Sequence, residues 1–115
     1  MEQKVISHTA DTLMHHLQAI STMQLDELML DYADEAVLMT PDGSFHGRAE
    51  IQQFFQTALS TFPPEMIKGI TMIRQDVESD VAFIVWKSEP FVKMATDTFV
   101  VRGGKIVAQT VLMVF

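Results

Sequence analysis

Phe91-Val92-Lys93-Met94-Ala95-Thr96-Asp97-Thr98-Phe99-Val100-Val101-Arg102 reads as a long strand, Gly103-Gly104 as a turn, and residues 105–115 as the strand that returns. β-branched and aromatic residues fill both runs, and paired glycines between such runs mark a tight hairpin, because both central positions of that turn need positive φ. One polar residue interrupts each run. Successive side chains on a strand point to opposite sides, so Asp97 shares a face with Phe99 and Val101. By the same count Gln109 shares a face with Val107, Val111, Met113 and Phe115.

Upstream of this hairpin, residues 81–88 are another β-branched and aromatic run, set off by the Glu78-Ser79-Asp80 turn. Trp86 shares a face there with Ala82 and Ile84, which leaves Lys87 and Glu89 toward solvent. Residues 66–77, with Ile67, Ile70, Met72 and Ile73, predict a further strand, and Pro63-Pro64 closes what precedes it, since proline cannot continue a helix.

The first half has helical periodicity. Val5, Thr9, Leu13, His16, Leu17 and Ile20 predict an amphipathic helix over residues 3–20. Leu25, Leu28, Met29 and Tyr32 predict a second over 25–32, with Asp26 and Glu27 in its first turn, where the helix dipole favours negative charge. Ile51, Phe54, Phe55 and Leu59 predict a third over 48–60. A short strand (36–40), the Pro41-Asp42-Gly43 turn and a brief return (44–46) lie between them. Helices first and long antiparallel strands afterwards is the order of an α+β domain. The 115 residues suit a single domain spanning 1–115.

Composition narrows the partners. Fifteen acidic against eight basic residues give a formal charge of −7, which argues against nucleic acid. The chain has no cysteine, so disulfides and thiolate metal sites are excluded. No run approaches the roughly 20 apolar residues of a membrane helix, and the opening MEQKVISHTADTLMHH lacks a signal peptide's apolar core. A cytoplasmic protein that does not meet a membrane is expected. The nine methionines serve either as core filler or as adaptable pocket wall. No phosphate-binding loop, dinucleotide fingerprint, nucleophile elbow or zinc-ligand cluster is present, and no cofactor is expected. The adjacent His15 and His16 cannot share a helix face, so no metal site is expected either.

Three stretches carry a family likeness. They are Tyr32-Ala33-Asp34-Glu35-Ala36-Val37-Leu38-Met39-Thr40-Pro41; then Gly43-Ser44-Phe45-His46-Gly47-Arg48-Ala49-Glu50-Ile51 with Phe54-Phe55; then Thr96-Asp97-Thr98-Phe99-Val100-Val101 with Gly104-Lys105-Ile106-Val107. In this order and spacing they resemble the nuclear transport factor 2-like superfamily, in particular its SnoaL-like and ketosteroid-isomerase-like members. The resemblance implies a cone-shaped, curved, mixed and mostly antiparallel sheet around three helices of the N-terminal half, the cystatin-like α+β roll, with a pocket between sheet and helices. It also implies a homodimer through the sheet face, for which Ile106 and Phe115 offer apolar surface. It does not fix a function, because isomerases, cyclases, dehydratases, epoxide hydrolases, transport factors and association domains share this fold.

The resemblance places the Asp97 face on the pocket. In steroid isomerases the matching Asp is kept protonated by its apolar site and donates a hydrogen bond to an oxyanion; the alternative is an Asp that braces the strand through a structural bond. His16 falls where those enzymes carry an oxyanion-hole tyrosine, and a neutral imidazole can donate or accept a proton there; the alternative is a satisfied, half-buried histidine. His15, about 100° round the helix, is expected in solvent. Thr40 stands where the isomerases carry a carboxylate base, and a hydroxyl cannot abstract a carbon-bound proton, so steroid-type isomerisation is not expected. Trp86 is either a pocket wall with its N–H aimed at a ligand or at Asp97, or plain core. Tyr32, Met39, Thr40, Phe54, Phe99, Gln109 and Met113 complete the expected ligand-binding set, with Gln109 open between a ligand contact and a structural bond. His46, Gly47 and Arg48 are read as structural, and Asp34-Glu35 as solvated.

Two functions follow. One is a small-molecule pocket, with Asp97 and His16 as catalytic groups for an isomerase, lyase or cyclase step on a small, partly apolar carbonyl or hydroxyl compound. The other is a non-catalytic dimeric binding or association domain.

Overall fold

A computed structural model describes residues 2–115. Helix α1 (Glu2–Ser21) lays its apolar stripe against the sheet, burying Leu13, His16 and Ala19. Two threonines on that stripe pin the helix to turns of the sheet: Thr9 Oγ1 donates to Ser79 O at 2.9 Å, and Thr12 Oγ1 to Gly104 O at 3.0 Å. The short α2 (Leu25–Met29) follows, with Leu28 and Met29 buried.

Strand β1 (Tyr32–Thr40) and the brief β2 (Gly43–His46) form an antiparallel pair. Helix α3 (Gly47–Thr61) inserts Ile51 and Phe55 into the core, and Arg48 Nη2 donates to Met29 O, tying α3 to the end of α2. Then come α4 (Pro64–Lys68), β3 (Thr71–Glu78), β4 (Val81–Ser88), β5 (Val92–Arg102) and β6 (Lys105–Val114). The six strands form one curved sheet in the order β2-β1-β6-β5-β4-β3. All neighbours are antiparallel except β1 and β6, which run parallel. Gly103 and Gly104 both hold positive φ, 58° and 76°, as the two-residue hairpin between β5 and β6 requires.

The α+β roll with a mixed, mostly antiparallel curved sheet is the expected one, with three local corrections. The stretch from residue 66 does not begin a strand. Pro64 occupies the first turn of α4, Glu65 follows it and Lys68 sits in the last turn, so Pro63-Pro64 starts a helix as well as ending one. The helices therefore number four among the described residues, not three. Strand β1 begins at Tyr32, where a helix end was expected; its pairing with β6 is irregular between Tyr32 and Val37, and that irregularity carries Asp34 and Glu35 into solvent. Ile106, expected on an open sheet face, is 1% exposed and belongs to the core.

The core lies between the helices and the concave face of the sheet. Leu13, Leu28, Leu38, Ile51, Phe99 and Ile106 are its fully buried large residues. Truncating one of these leucines to alanine would cost about 2–5 kcal/mol. Among the described residues, no helix is long and apolar enough to cross a membrane.

Candidate functional site

Toward one end of the roll the helices splay from the sheet and leave a pocket. Leu17 and Ile20 on α1, Phe54, Phe55, Ala58 and Leu59 on α3, and Met66 and Ile67 on α4 form one wall. Met72, Ile84, Trp86, Val111 and Met113 on the sheet form the other, and Phe62 and Ile70 flank α4. The free space at its centre is about 100 Å³, several times the roughly 10–15 Å³ that a single water needs. Its polar groups are His16, Asp97, Gln109 and the indole N–H of Trp86.

Strand register explains how that polar floor forms. Asp97 lies opposite Ile84 on β4 and Val111 on β6. Trp86 and Gln109 stand two residues along from those partners, on the same face, at the diagonal distance that long side chains span. Trp86 Nε1 donates to Asp97 Oδ1 at 2.9 Å, and Gln109 Nε2 donates to Asp97 Oδ2 at 3.0 Å. The Tyr32 hydroxyl in turn donates to Gln109 Oε1, which turns the amide so that its NH₂ faces the carboxylate. Asp97, Gln109, Trp86 and Tyr32 thus satisfy one another, as burial demands.

Asp97 is 7% exposed. Burial pushes its pKa from 3.8 up to about 6, and the bonds from Trp86 and Gln109 oppose part of that rise. His16 is 3% exposed and packs edge-on against Tyr32, Phe55 and Phe99, with the Phe99 ring centroid 5.0 Å away. Burial lowers its pKa to about 3, with a smaller effect from His15, so the imidazole is neutral at pH 7. Its Nδ1 is buried without a hydrogen-bond partner among the described residues. Burial, and then the charge of Asp97, holds the Tyr32 phenol well above its usual range.

Asp97, His16, Trp86, Phe54, Gln109 and Met113 therefore meet at one pocket. Tyr32 stands behind Gln109, and Phe99 is packed behind His16 at 1% exposure; both support the floor without lining it. Met39 and Thr40 are corrections. Met39 is 42% exposed on the opposite face of the sheet, and Thr40 caps the β1–β2 turn, accepting from Asp42 N at 3.1 Å. Strand alternation turns residue 39 away from its buried neighbour Leu38, and position 40 lies at the strand's far end. Met66, Ile67 and Ile70 belong to the lining but were hidden inside a misread strand; their spacing and the leading Pro64 are helical signals. His15 faces outward as expected, its side chain 41% exposed, but it is paired and not simply solvated. Its Nδ1 pairs with Asp31 at 2.7 Å and its Nε2 with Glu27 at 3.0 Å. Among the described residues, no group of three or more His, Cys, Asp or Glu is placed to hold a metal ion.

Comparison with known proteins follows the same lines. The SnoaL-like domain family matches residues 13–109, and the chain belongs to that family. Its fold is shared with solved structures of the nuclear transport factor 2-like class. A SnoaL-like protein of unknown function from Burkholderia thailandensis superposes with a TM-score of 0.78 at 15% identity, over 95% of this chain and 96% of the other. A candidate polyketide cyclase from Sinorhizobium meliloti gives 0.74 at 18% identity, over 88% and 93%. A candidate ketosteroid isomerase from Kribbella flavida gives 0.71 at 14% identity, over 95% and 79%. At such identities the likeness is one of fold. A comparison with curated proteins finds no match to the sequence.

Proposed function

We propose that this chain is a small-molecule-binding pocket protein of the SnoaL-like type, with Asp97 as the acid–base and hydrogen-bonding group that meets the ligand. The observation that carries this reading is a nearly buried carboxylate, held by Trp86 and Gln109, on the floor of an otherwise apolar pocket. A group with a pKa near 6 suits proton transfer close to neutral pH. It fits an isomerase, lyase or cyclase step on a small, partly apolar hydroxyl or carbonyl compound. His16, neutral down to about pH 3, serves as a hydrogen-bonding neighbour and not as a base.

The test is a thermal-shift screen of small apolar alcohols and ketones on wild type and Asp97→Asn. A ligand that binds the native state must raise its melting temperature by mass action. A shift in wild type that Asp97→Asn abolishes supports the reading, and uniform silence contradicts it.

The same proposal includes a homodimer through the outer sheet face. Met94 pairs with Val114, and Leu112 lies opposite Thr96; Met94, Leu112 and Val114 are exposed there, as is Met39 on β1. Contiguous exposed apolar residues of this kind mark association surfaces. On the second reading this association is itself the function and the pocket is incidental. Sedimentation equilibrium of wild type and Leu112→Glu decides whether the face is used.

A further inference from the structure

We infer that the preferred occupant of the pocket is a small apolar amine, seated with its ammonium group against Asp97 and its hydrocarbon body between α3, α4 and the sheet. This rests on the pocket reading above and specifies its ligand class.

The hydrogen bonds define which form of Asp97 the site is built around. The Trp86 N–H can only donate, and the Gln109 NH₂ is turned toward Asp97 because Tyr32 occupies the amide oxygen. Two fixed donors, one on each carboxylate oxygen, favour the ionised acid. An ionised carboxylate has about four acceptor positions, so about half remain for an occupant. Those positions take a donor and repel a second carboxylate.

Charge makes the selection sharper. The ion pairs among the described residues join other side chains, and none includes Asp97. Buried charges are ordinarily paired, because leaving one without a counter-charge is costly. The groups that titrate around Asp97 are His16 on α1 and, behind Gln109, Tyr32 on β1. The pocket lining from α3, α4, β3, β4 and β6 carries no ionisable side chain. Neither His16 nor Tyr32 supplies a positive charge at neutral pH, since burial keeps the imidazole unprotonated and the phenol is uncharged there. The missing counter-charge is what an ammonium group brings. The protein's formal charge of −7 also favours the approach of a cation.

The experiment uses four molecules of nearly one shape: benzylamine, benzyl alcohol, benzaldehyde and benzoate. Calorimetric titration of each into wild type and Asp97→Asn at pH 7.5 should give benzylamine at least tenfold tighter than benzyl alcohol, with benzoate weakest. Asp97→Asn should erase the amine's advantage, weakening the amine at least tenfold more than it weakens the alcohol. In wild type the advantage should also shrink between pH 7.5 and pH 5, as Asp97 takes a proton; this arm holds even where the variant fails to fold. Alcohol and aldehyde binding with no preference for the amine would overturn the inference and leave the pocket reading standing. No binding by any of the four would sink both. An amine preference unchanged at pH 5, or unchanged in a folded Asp97→Asn, would place the cation elsewhere and overturn the inference alone.

Discussion

His15 and His16 are consecutive on α1, yet their environments push them in opposite directions. His15 looks outward, and its two ring nitrogens meet Glu27 and Asp31, whose bonds raise its pKa. His16 looks inward among Tyr32, Phe55 and Phe99, and burial drops its pKa to about 3. A turn of about 100° around a helix axis separates the two. The outer cluster is an ion-pair network at the surface, open to solvent at His15 and Glu27 and closed over at Asp31, so solvent screens most of it. The inner one is a buried polar floor, where a single hydrogen bond or charge carries far more weight. Residue type alone predicts neither behaviour; the facing elements decide both.

The largest expected effect separates the two histidines by stability. His16→Ala opens a cavity among three rings and should cost roughly 3 kcal/mol in urea unfolding at pH 7. An equal loss from His15→Ala would break the distinction between inner and outer clusters.

Next comes the charge on the pocket floor. A folded-state pKa raised from 3.8 to about 6 means that the native state binds this proton more tightly than the unfolded chain does, although the acid is ionised at pH 7.5. The stabilisation is complete below about pH 4 and is lost as pH rises through 6, which at 1.36 kcal/mol per pH unit amounts to about 3 kcal/mol. Asp97→Asn removes that titration. Its stability relative to wild type should climb between pH 4 and pH 7.5 by up to this amount, and a flat difference would show that Asp97 is not desolvated.

The smallest effect belongs to the outer cluster. A raised His15 pKa stabilises the fold below about pH 6.5, and that contribution disappears as pH rises through the folded value. His15→Ala should therefore cost under about 1 kcal/mol at pH 6 and less at pH 8.5. A cost that grows with pH would contradict the pairing with Glu27 and Asp31.

Much of the fold was legible because its signals are local. The Gly103-Gly104 hairpin, the strand alternation around Asp97 and the helical stripe of α1 each depend on near neighbours in the chain. Helix α4 was missed because Ile67 and Ile70 suit a strand by propensity, while the start signal in Pro64 was spent on ending α3. The site was partly legible for the same reason. Period-2 geometry put Asp97, Trp86 and Gln109 each on a face shared with apolar residues, and the family resemblance turned the Asp97 face toward the pocket, but that Trp86 and Gln109 reach the same carboxylate depends on the register of three strands, and that Tyr32 orients the amide depends on a strand far away in sequence. His15 shows the converse. Its partners come from α2 and the residues after it, and no periodicity within α1 reports them.

The most direct test is a carbon-13 NMR titration of the Asp97 side-chain carboxyl in wild type and in Gln109→Met. The structure predicts a wild-type midpoint near pH 6, moved higher in the variant because a bond that favours the ionised acid has been removed. A midpoint near 4 in both proteins would mean a carboxylate in contact with bulk water, and the pocket floor described here would be wrong.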